Sequence, residues 1–170
     1  MVSLVCQNFI ENKNLYNKIY EDLRKNLDES IPINHVGSTA IPDMVGKNII
    51  DILVGAVDKT QFENLINYFI QKGYKASEKS RTDIYQFFAS REGETLAGDM
   101  HIHLVMLGTE RYNEFIILRD YLLSNKEEAI NYSNLKKELV ESGIVERKAY
   151  RTAKSEYVTK LIERAKNTIK

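Results

Sequence analysis

Apolar residues near the start of the chain recur at four-residue intervals. Leu15, Ile19, Leu23 and Leu27 lie on one stripe within residues 14–28. This spacing is typical of an amphipathic helix whose apolar side packs on a core. The segment is therefore predicted to be the first helix.

Short apolar runs bounded by turn residues predict the strands. The run at 48–57 is almost wholly apolar and rich in β-branched residues, which predicts a strand covered on both faces. Asp51 is the one charged residue inside it. Further strands are predicted at 31–36, 74–78, 83–90 and 100–107, with a polar turn at 91–99.

Helices dominate the second half of the chain. Thr60 and Glu63 are spaced as a capping box, which predicts a helix from there to about Lys72, and Asn125 with Glu128 predicts a second box. Helices are accordingly predicted at 110–124, from Asn125 to about Ser142, and at 146–168. The order predicts one α+β or α/β domain over 1–170, with a mixed-sheet core at about 1–108 and a helical layer at about 109–170.

Composition narrows the class of protein. The chain has 170 residues, 43% hydrophobic and 28% charged, which excludes disordered and collagen-like classes. A single cysteine allows no internal disulfide and is typical of a reducing compartment. No apolar run is long enough to span a membrane, and the N-terminus lacks the pattern of a signal peptide. These observations predict a soluble cytoplasmic protein.

The net charge of zero conceals two opposed segments. Lys plus Arg and Asp plus Glu each number 24, which argues against a general nucleic-acid binder. Residues 147–170, however, hold eight basic and two acidic side chains, a net +6, so the rest of the chain carries −6. A basic last helix beside an acidic core is expected to form one wall of a ligand cleft.

The first candidate constellation joins a glycine turn to a carboxylate. Gly37 allows a tight exit from a strand, and Ser38 with the following backbone N–H groups could receive a phosphate if a helix starts there. Asp51 lies in a buried strand, where a carboxylate needs a cation, a hydrogen-bond donor or a metal. The alternative is that it bonds backbone amides at a strand end.

The second candidate constellation lies on one face of a later strand. Asp99, His101 and His103 are two residues apart and point together. Two imidazoles at this spacing suit metal ligation or phosphate contact, or else they line a polar sheet face and bind water.

The helices add a third set of candidates. Arg119 falls within an apolar stretch, and Lys154 lies between Tyr150 and Tyr157 on one helical face. The lysine either reaches an anionic ligand or extends along the surface into solvent.

The segment from His35 to Val54 resembles the signature of the GrpB family, in the nucleotidyltransferase superfamily. His35 to Ala40, Pro42, Lys47 and Ile49 to Ile52 match its pattern, and MHIHLV at 100–105 and LRDYLL at 118–123 match later segments. The resemblance runs from about residue 14 to 163. It implies an α+β fold with a nucleotidyltransferase-like mixed sheet, flanking helices and a C-terminal helical layer.

The resemblance also implies a function. A nucleoside triphosphate (NTP) with Mg²⁺ would donate a nucleotidyl group to a small-molecule or protein acceptor. Asp51, His101 and His103 would be catalytic, and Asp51 and His103 would bind metal. His35 and Asp99 would complete the site. Phosphate would be held by Gly37, Ser38, Thr39, Lys47, Arg119, Tyr150 and Lys154.

Departures from the superfamily pattern leave alternatives open. The second carboxylate of the Asp-x-Asp pair is replaced by Leu53, so a two-metal clamp is incomplete there. The protein is therefore either this enzyme or an inactive module that binds a nucleotide or a CoA-related ligand. A third possibility is a transition-metal enzyme that uses His35, His101, His103 and Asp51. Asp43, Gly46 and Asn48 stand where the family usually has glycine, alanine and proline. These departures are expected to change the shape of this loop and not the fold.

Overall fold

A computed structural model describes residues 4–89, 100–142 and 147–168. The described strands are β1 Val5–Cys6, β2 Ile33–Val36, β3 Val45–Gly46, β4 Ile50–Ala56, β5 Lys75–Ala76, β6 Tyr85–Ala89 and β7 Met100–Met106. The described helices are α1 Phe9–Arg24, α2 Lys59–Gln71, α3 Glu110–Ser124, α4 Lys126–Glu141 and α5 Arg147–Thr168. This order confirms the predicted mixed sheet followed by a helical layer. The predicted turn at 91–99, and Asp99 with it, lies outside the described residues.

Five strands form one mixed sheet in the order β2-β4-β7-β6-β5. The central pair, β4 and β7, is parallel, and the other pairs are antiparallel. β1 and β3 form a separate two-stranded ribbon. The two longest strands thus lie side by side, which places Asp51 directly opposite His101.

The two faces of the sheet have different partners. One face packs on α1 and α2 through a large apolar core that includes Ile52, Ile102 and Phe62, all fully buried. The other face carries Leu53 and Val105, which pack under α3. Both faces of β4 are covered, as its apolar run predicts.

The first helix begins earlier than predicted. The expected span was 14–28, but Asn8 caps the helix by accepting a hydrogen bond from Glu11 N–H, and α1 ends at Arg24. The apolar stripe identified the core-facing side, whereas the polar first turn has no such periodicity and only the cap marks it.

The box predicted for Thr60 and Glu63 lies two residues too late. Asp58 is the N-cap of α2, and its carboxylate accepts from Gln61 N–H at 2.8 Å. Gln61 in turn accepts from Val57 N–H at 2.9 Å. Reciprocal bonds of this type satisfy backbone donors at the start of a helix. The prediction of a box at this helix is therefore confirmed, but its position at Thr60 and Glu63 is wrong.

The second predicted box gives the right boundary for the wrong reason. Asn125 is the N-cap of α4 but makes no side-chain cap bond. Its Nδ2 instead donates to Tyr121 O at the end of α3, so this residue links the two helices. No helix in the described ranges is long and apolar enough to cross a membrane.

Candidate functional site

A cleft of about 740 Å³ separates the α3 side of the sheet from α4 and α5. This volume lies within the range of small-molecule sites. The expectation that the C-terminal helices form one wall of the cleft is confirmed. Nine of the predicted residues line it: Gly37, Ser38, Lys47, Asp51, His101, His103, Arg119, Tyr150 and Lys154.

The glycine turn and the carboxylate are in direct contact. Gly37 follows β2 with φ of 75°, a conformation that favours glycine. A Cβ placed there would lie 2.2 Å from Asp51 Oδ2. The Asp51 carboxylate therefore packs against the backbone of Gly37. The glycine turn and the carboxylate of the sequence motif thus lie together in the cleft.

Asp51 accepts hydrogen bonds from two histidines on β7. Its Oδ1 lies 3.1 Å from His101 Nδ1 and 3.3 Å from His103 Nε2. Burial by itself would raise the pKa of the Asp51 carboxyl, but the bonds from His101 and His103 hold that pKa well below its usual range. Because an ionised carboxylate only accepts, each imidazole donates an N–H hydrogen bond to it.

A tyrosine continues this chain of hydrogen bonds. The hydroxyl of Tyr85 on β6 lies 2.9 Å from His103 Nδ1. With Nε2 donating to Asp51, Nδ1 of His103 is the ring nitrogen that accepts the Tyr85 O–H. The rings of Phe87 and Phe115 pack within 5.5 Å of the same imidazole. Hydrogen bonds at both ring nitrogens and the two packed aromatic rings together fix the orientation of His103.

Leu53 occupies the position of the missing carboxylate. Its side chain is fully buried and packs with Val36 and Val105 beneath α3. This position belongs to the hydrophobic core and presents no polar group to the cleft.

His35 and Thr39 were predicted in the site but do not line the cleft. His35 Nε2 bonds Thr39 Oγ1 at 2.9 Å, and the ring stacks on Tyr16 of α1 at 4.6 Å. Thr39 is fully buried and its hydroxyl donates to Ile49 O, so its oxygen accepts a hydrogen bond from His35 Nε2–H. Burial lowers the pKa of His35 to about 4. Both residues stabilise the turn from the α1 side of the sheet.

Ser38 and Lys47 line the cleft from the segment between β2 and β4. Ser38 begins a short 3₁₀ turn, Ser38–Ala40, and its hydroxyl packs against Gly46, where an added Cβ would lie 2.2 Å from Oγ. Lys47 Nζ lies over the Tyr150 ring at 5.6 Å from its centroid. The loop thus joins the glycine turn to α5.

The same loop contains two non-glycine residues at positive φ. Asp43 and Asn48 each have φ of 58°. Proline is fixed near −65°, so a chain with the family's usual proline at position 48 has a different backbone there. The predicted change of loop shape therefore lies at Asn48.

Arg119 crosses from α3 to the edge of the sheet. Its Nη1 donates to His35 O at 3.3 Å and Nε pairs with Asp120 at 2.7 Å. The guanidinium therefore fixes the end of β2 as well as lining the cleft. Arg111, one of the residues not predicted, lies over the rings of Tyr85 and Phe115.

Lys136 on α4 is the main site residue that sequence reasoning missed. Its side chain is 3% exposed, and Nζ donates to Val45 O and lies 4.7 Å from the Tyr132 ring centroid. Burial, together with the charge of Lys154, lowers the pKa of Lys136 to about 7. Helical spacing could have identified it, because Ala129, Tyr132 and Lys136 continue one buried stripe.

The side chains of the cleft suit Mg²⁺ only if phosphate oxygens of a bound ligand complete its coordination. Mg²⁺ commonly takes one or two carboxylates plus phosphate oxygens. Asp51 supplies one carboxylate, and Leu53 supplies none. Within the described residues, no three His, Cys, Asp or Glu side chains are arranged to hold a metal. His101 and His103 bond the carboxylate itself, which disfavours a self-contained transition-metal centre.

Comparison with solved structures supports the fold. The crystal structure of conserved protein GrpB from Enterococcus faecalis superimposes with a TM-score of 0.80 at 20% identity, covering 98% of this chain and 99% of that one. The MgGTP-bound Cid1 poly(U) polymerase superimposes with a TM-score of 0.51 at 10% identity, covering 78% of this chain and 42% of that one. The fold is nucleotidyltransferase-like.

Sequence comparison identifies the family. Glutamate-rich protein GrpB of Alkalihalophilus pseudofirmus is 31% identical over 153 residues, which cover 88% of each chain. A UPF0157 protein of Streptomyces coelicolor is 27% identical over 139 residues, which cover 82% of this chain and 71% of that one. Residues 8–164 match the GrpB protein family, and the chain belongs to it.

Proposed function

We propose that this protein binds an NTP with Mg²⁺ in the cleft and transfers its nucleotidyl group to a hydroxyl of a small-molecule or protein acceptor. The observation that carries the proposal is the contact of the Gly37 turn with Asp51 in the wall of a lysine-lined cleft. A glycine turn lets phosphates approach the backbone, and the carboxylate beside it favours a cation bound to those phosphates.

The basic residues of the cleft suit a triphosphate. Lys47, Lys154 and Arg119 line it from the loop, α5 and α3. Cations in a partly buried cleft stabilise phosphate charge more strongly than they would in water. When bound, Mg²⁺ supplies further positive charge at the phosphates.

His101 is suited to activate the acceptor. Its Nδ1 donates to Asp51, which leaves Nε2 as the nitrogen that can take a proton. The acceptor oxygen would form a bond to the α-phosphorus, its proton would pass to His101 Nε2, and pyrophosphate would leave. Asp51 would hold the imidazole in the required tautomer, as carboxylates do in histidine-based sites.

A specific observation favours a second candidate, an inactive module that binds a nucleotide or a CoA-related ligand. Leu53 is fully buried, so a two-metal clamp has no second carboxylate at this position. Transfer of label from an α-labelled NTP to any acceptor in a cell extract would exclude the inactive module. Tight binding without transfer would favour it.

Calorimetry with each NTP, with and without Mg²⁺, tests the primary proposal. We expect Asp51→Asn to weaken binding when Mg²⁺ is present and to have no such effect without it, because removal of a negative charge does not penalise bare phosphate. Asp83→Asn, at an exposed position, is the matched control. Failure of the wild-type protein to bind any NTP in either condition would contradict the proposal.

A further inference from the structure

We propose that Lys136, with Lys154 on the facing helix, forms an anion subsite at the helical wall of the cleft and binds a phosphate group of the ligand there. The inference takes from the proposed function only that the cleft is a ligand site. It adds a residue, a location and a proton-linked mode of binding.

The cleft contains a buried amine. Lys136 is 3% exposed, yet it lines the cavity. Lysine is almost never this buried without a charged partner. Within the described residues it has no carboxylate within salt-bridge distance, and its contacts are the carbonyl of Val45 and the ring of Tyr132.

The residues that line the cavity with Lys136 include two further lysines and a tyrosine. From α5, Lys154 adds a second positive charge that disfavours protonation of Lys136, and Tyr150 supplies a hydroxyl at the cavity wall. Lys47 lines the same cavity from the loop. A phosphate entering between these groups would gain charge-assisted hydrogen bonds and remove the repulsion between the lysines.

Binding of an anion beside Lys136 is linked to uptake of a proton. The pKa of Lys136 stands at about 7, lowered by burial and then by Lys154, and an anion beside the amine would raise it. The protein would therefore take up a proton when phosphate binds above pH 7. Burial raises the pKa of Tyr132 and Tyr150, so these hydroxyls remain neutral in the same range.

The experiment uses calorimetry of inorganic pyrophosphate without Mg²⁺ at pH 8, in Tris and in HEPES. The two buffers differ in ionisation enthalpy, so the difference in observed heat reports proton uptake. Proton uptake by Lys136→Met measures the part that comes from pyrophosphate itself, and it is subtracted from the wild-type value. We expect the remaining uptake to be about 0.9 proton per site, since an amine of pKa near 7 is mostly neutral at pH 8.

Matched variants localise the effect. Lys137→Met changes the next residue, which is exposed, and is expected to keep wild-type affinity and uptake. Lys136→Arg keeps the charge without titrating in this range and is expected to bind with an affinity that changes less between pH 7 and 9 than that of wild type. Wild-type affinity should fall roughly tenfold per pH unit above 7, beyond the change due to pyrophosphate.

Each outcome is decisive. Absence of pyrophosphate binding, or equal uptake by wild type and Lys136→Met, would overturn the subsite. If NTP binds but no Lys136-dependent uptake is found, the proposed function stands and this inference fails. If pyrophosphate binds with that uptake but no NTP binds, the inference stands and the proposed function fails.

Discussion

The Oδ2 atom of Asp51 lies so close to the backbone of Gly37 that a methyl group at position 37 would be 2.2 Å from it. Glycine is thus required at position 37 for two reasons: the backbone has φ of 75°, and the Asp51 carboxylate fills the space that a side chain would occupy. The glycine turn and Asp51 occur together in the motif because they are packed against each other.

Replacement of Gly37 by alanine is compared with the same replacement at a second glycine of positive φ. Gly108 also has φ of 75°, but a Cβ there would meet no atom of the described residues within 4 Å. We expect Gly108→Ala to lower the free energy of unfolding by about 1 to 2 kcal/mol through backbone strain alone. Gly37→Ala should cost roughly 2 kcal/mol more, since the overpacking against Asp51 adds to the strain of a backbone with φ of 75° and ψ of −171°.

Urea denaturation of both variants measures the difference. Displacement of Asp51 should also change the NMR signals of His101 and His103 in Gly37→Ala. Equal destabilisation by the two substitutions, with unchanged histidine signals, would mean that the contact with Asp51 is unimportant.

Restoring a carboxylate at position 53 should harm the protein. Leu53 is fully buried among Val36 and Val105, and an aspartate there would lose apolar contacts and bury a charge. We expect Leu53→Asp to lower the free energy of unfolding by about 3 to 5 kcal/mol. Leu53→Met should cost less than about 1.5 kcal/mol.

Thermal and urea unfolding of the two position-53 variants distinguish packing from polarity. A Leu53→Asp protein as stable as wild type would show that the position can open to the cleft, against the packing described above.

His35 should make stability depend on pH. Its pKa is about 4 in the folded protein, lowered by burial, against 6.5 for the exposed imidazole. Between these values the unfolded chain binds a proton that the folded chain does not, so stability falls as pH drops from 6.5 to 4 and levels off below 4. The full effect is about 3 kcal/mol at most.

His35→Gln isolates this contribution. The free energy of unfolding, measured from pH 4 to 8, should change less with pH in the variant than in wild type, although the variant is less stable at pH 7 because it loses the stacking on Tyr16. Parallel pH profiles for the two proteins would contradict the assignment.

Tyr85→Phe removes the hydroxyl that donates a hydrogen bond to His103 Nδ1. Among the described residues, His101 is bonded to Asp51 and not to Tyr85, so it serves as an internal reference. We expect ¹⁵N NMR to show a perturbed His103 and an unchanged His101, with a loss of about 1 kcal/mol in stability. An unperturbed His103 would show that Asp51 alone orients it.

Local spacing explains why much of the site could be predicted. The two-residue period of a strand puts His101 and His103 on one face, and the four-residue spacing of a helix puts Tyr150 and Lys154 together. Those relations depend only on neighbours in the chain. The parallel pairing that brings Asp51 opposite His101 joins residues fifty positions apart, and only the fold sets its register.

The errors share a physical cause. Residue type groups His35 with the other two histidines, yet the sheet separates them: His35 faces α1 and the other two face α3. A lysine on a helix is usually solvated, and the burial of Lys136 depends on the carbonyl of Val45, which lies 91 residues earlier in the chain.

The sequence by itself determined the order of elements, the family and the glycine turn paired with Asp51, because apolar periodicity and short motifs are properties of adjacent residues. The tertiary structure decided which side chains share the cleft, that Leu53 belongs to the core, and that a buried lysine completes the helical wall. Those outcomes depend on packing between distant segments, where burial, and not residue type, sets the charge and the hydrogen bonds of each group.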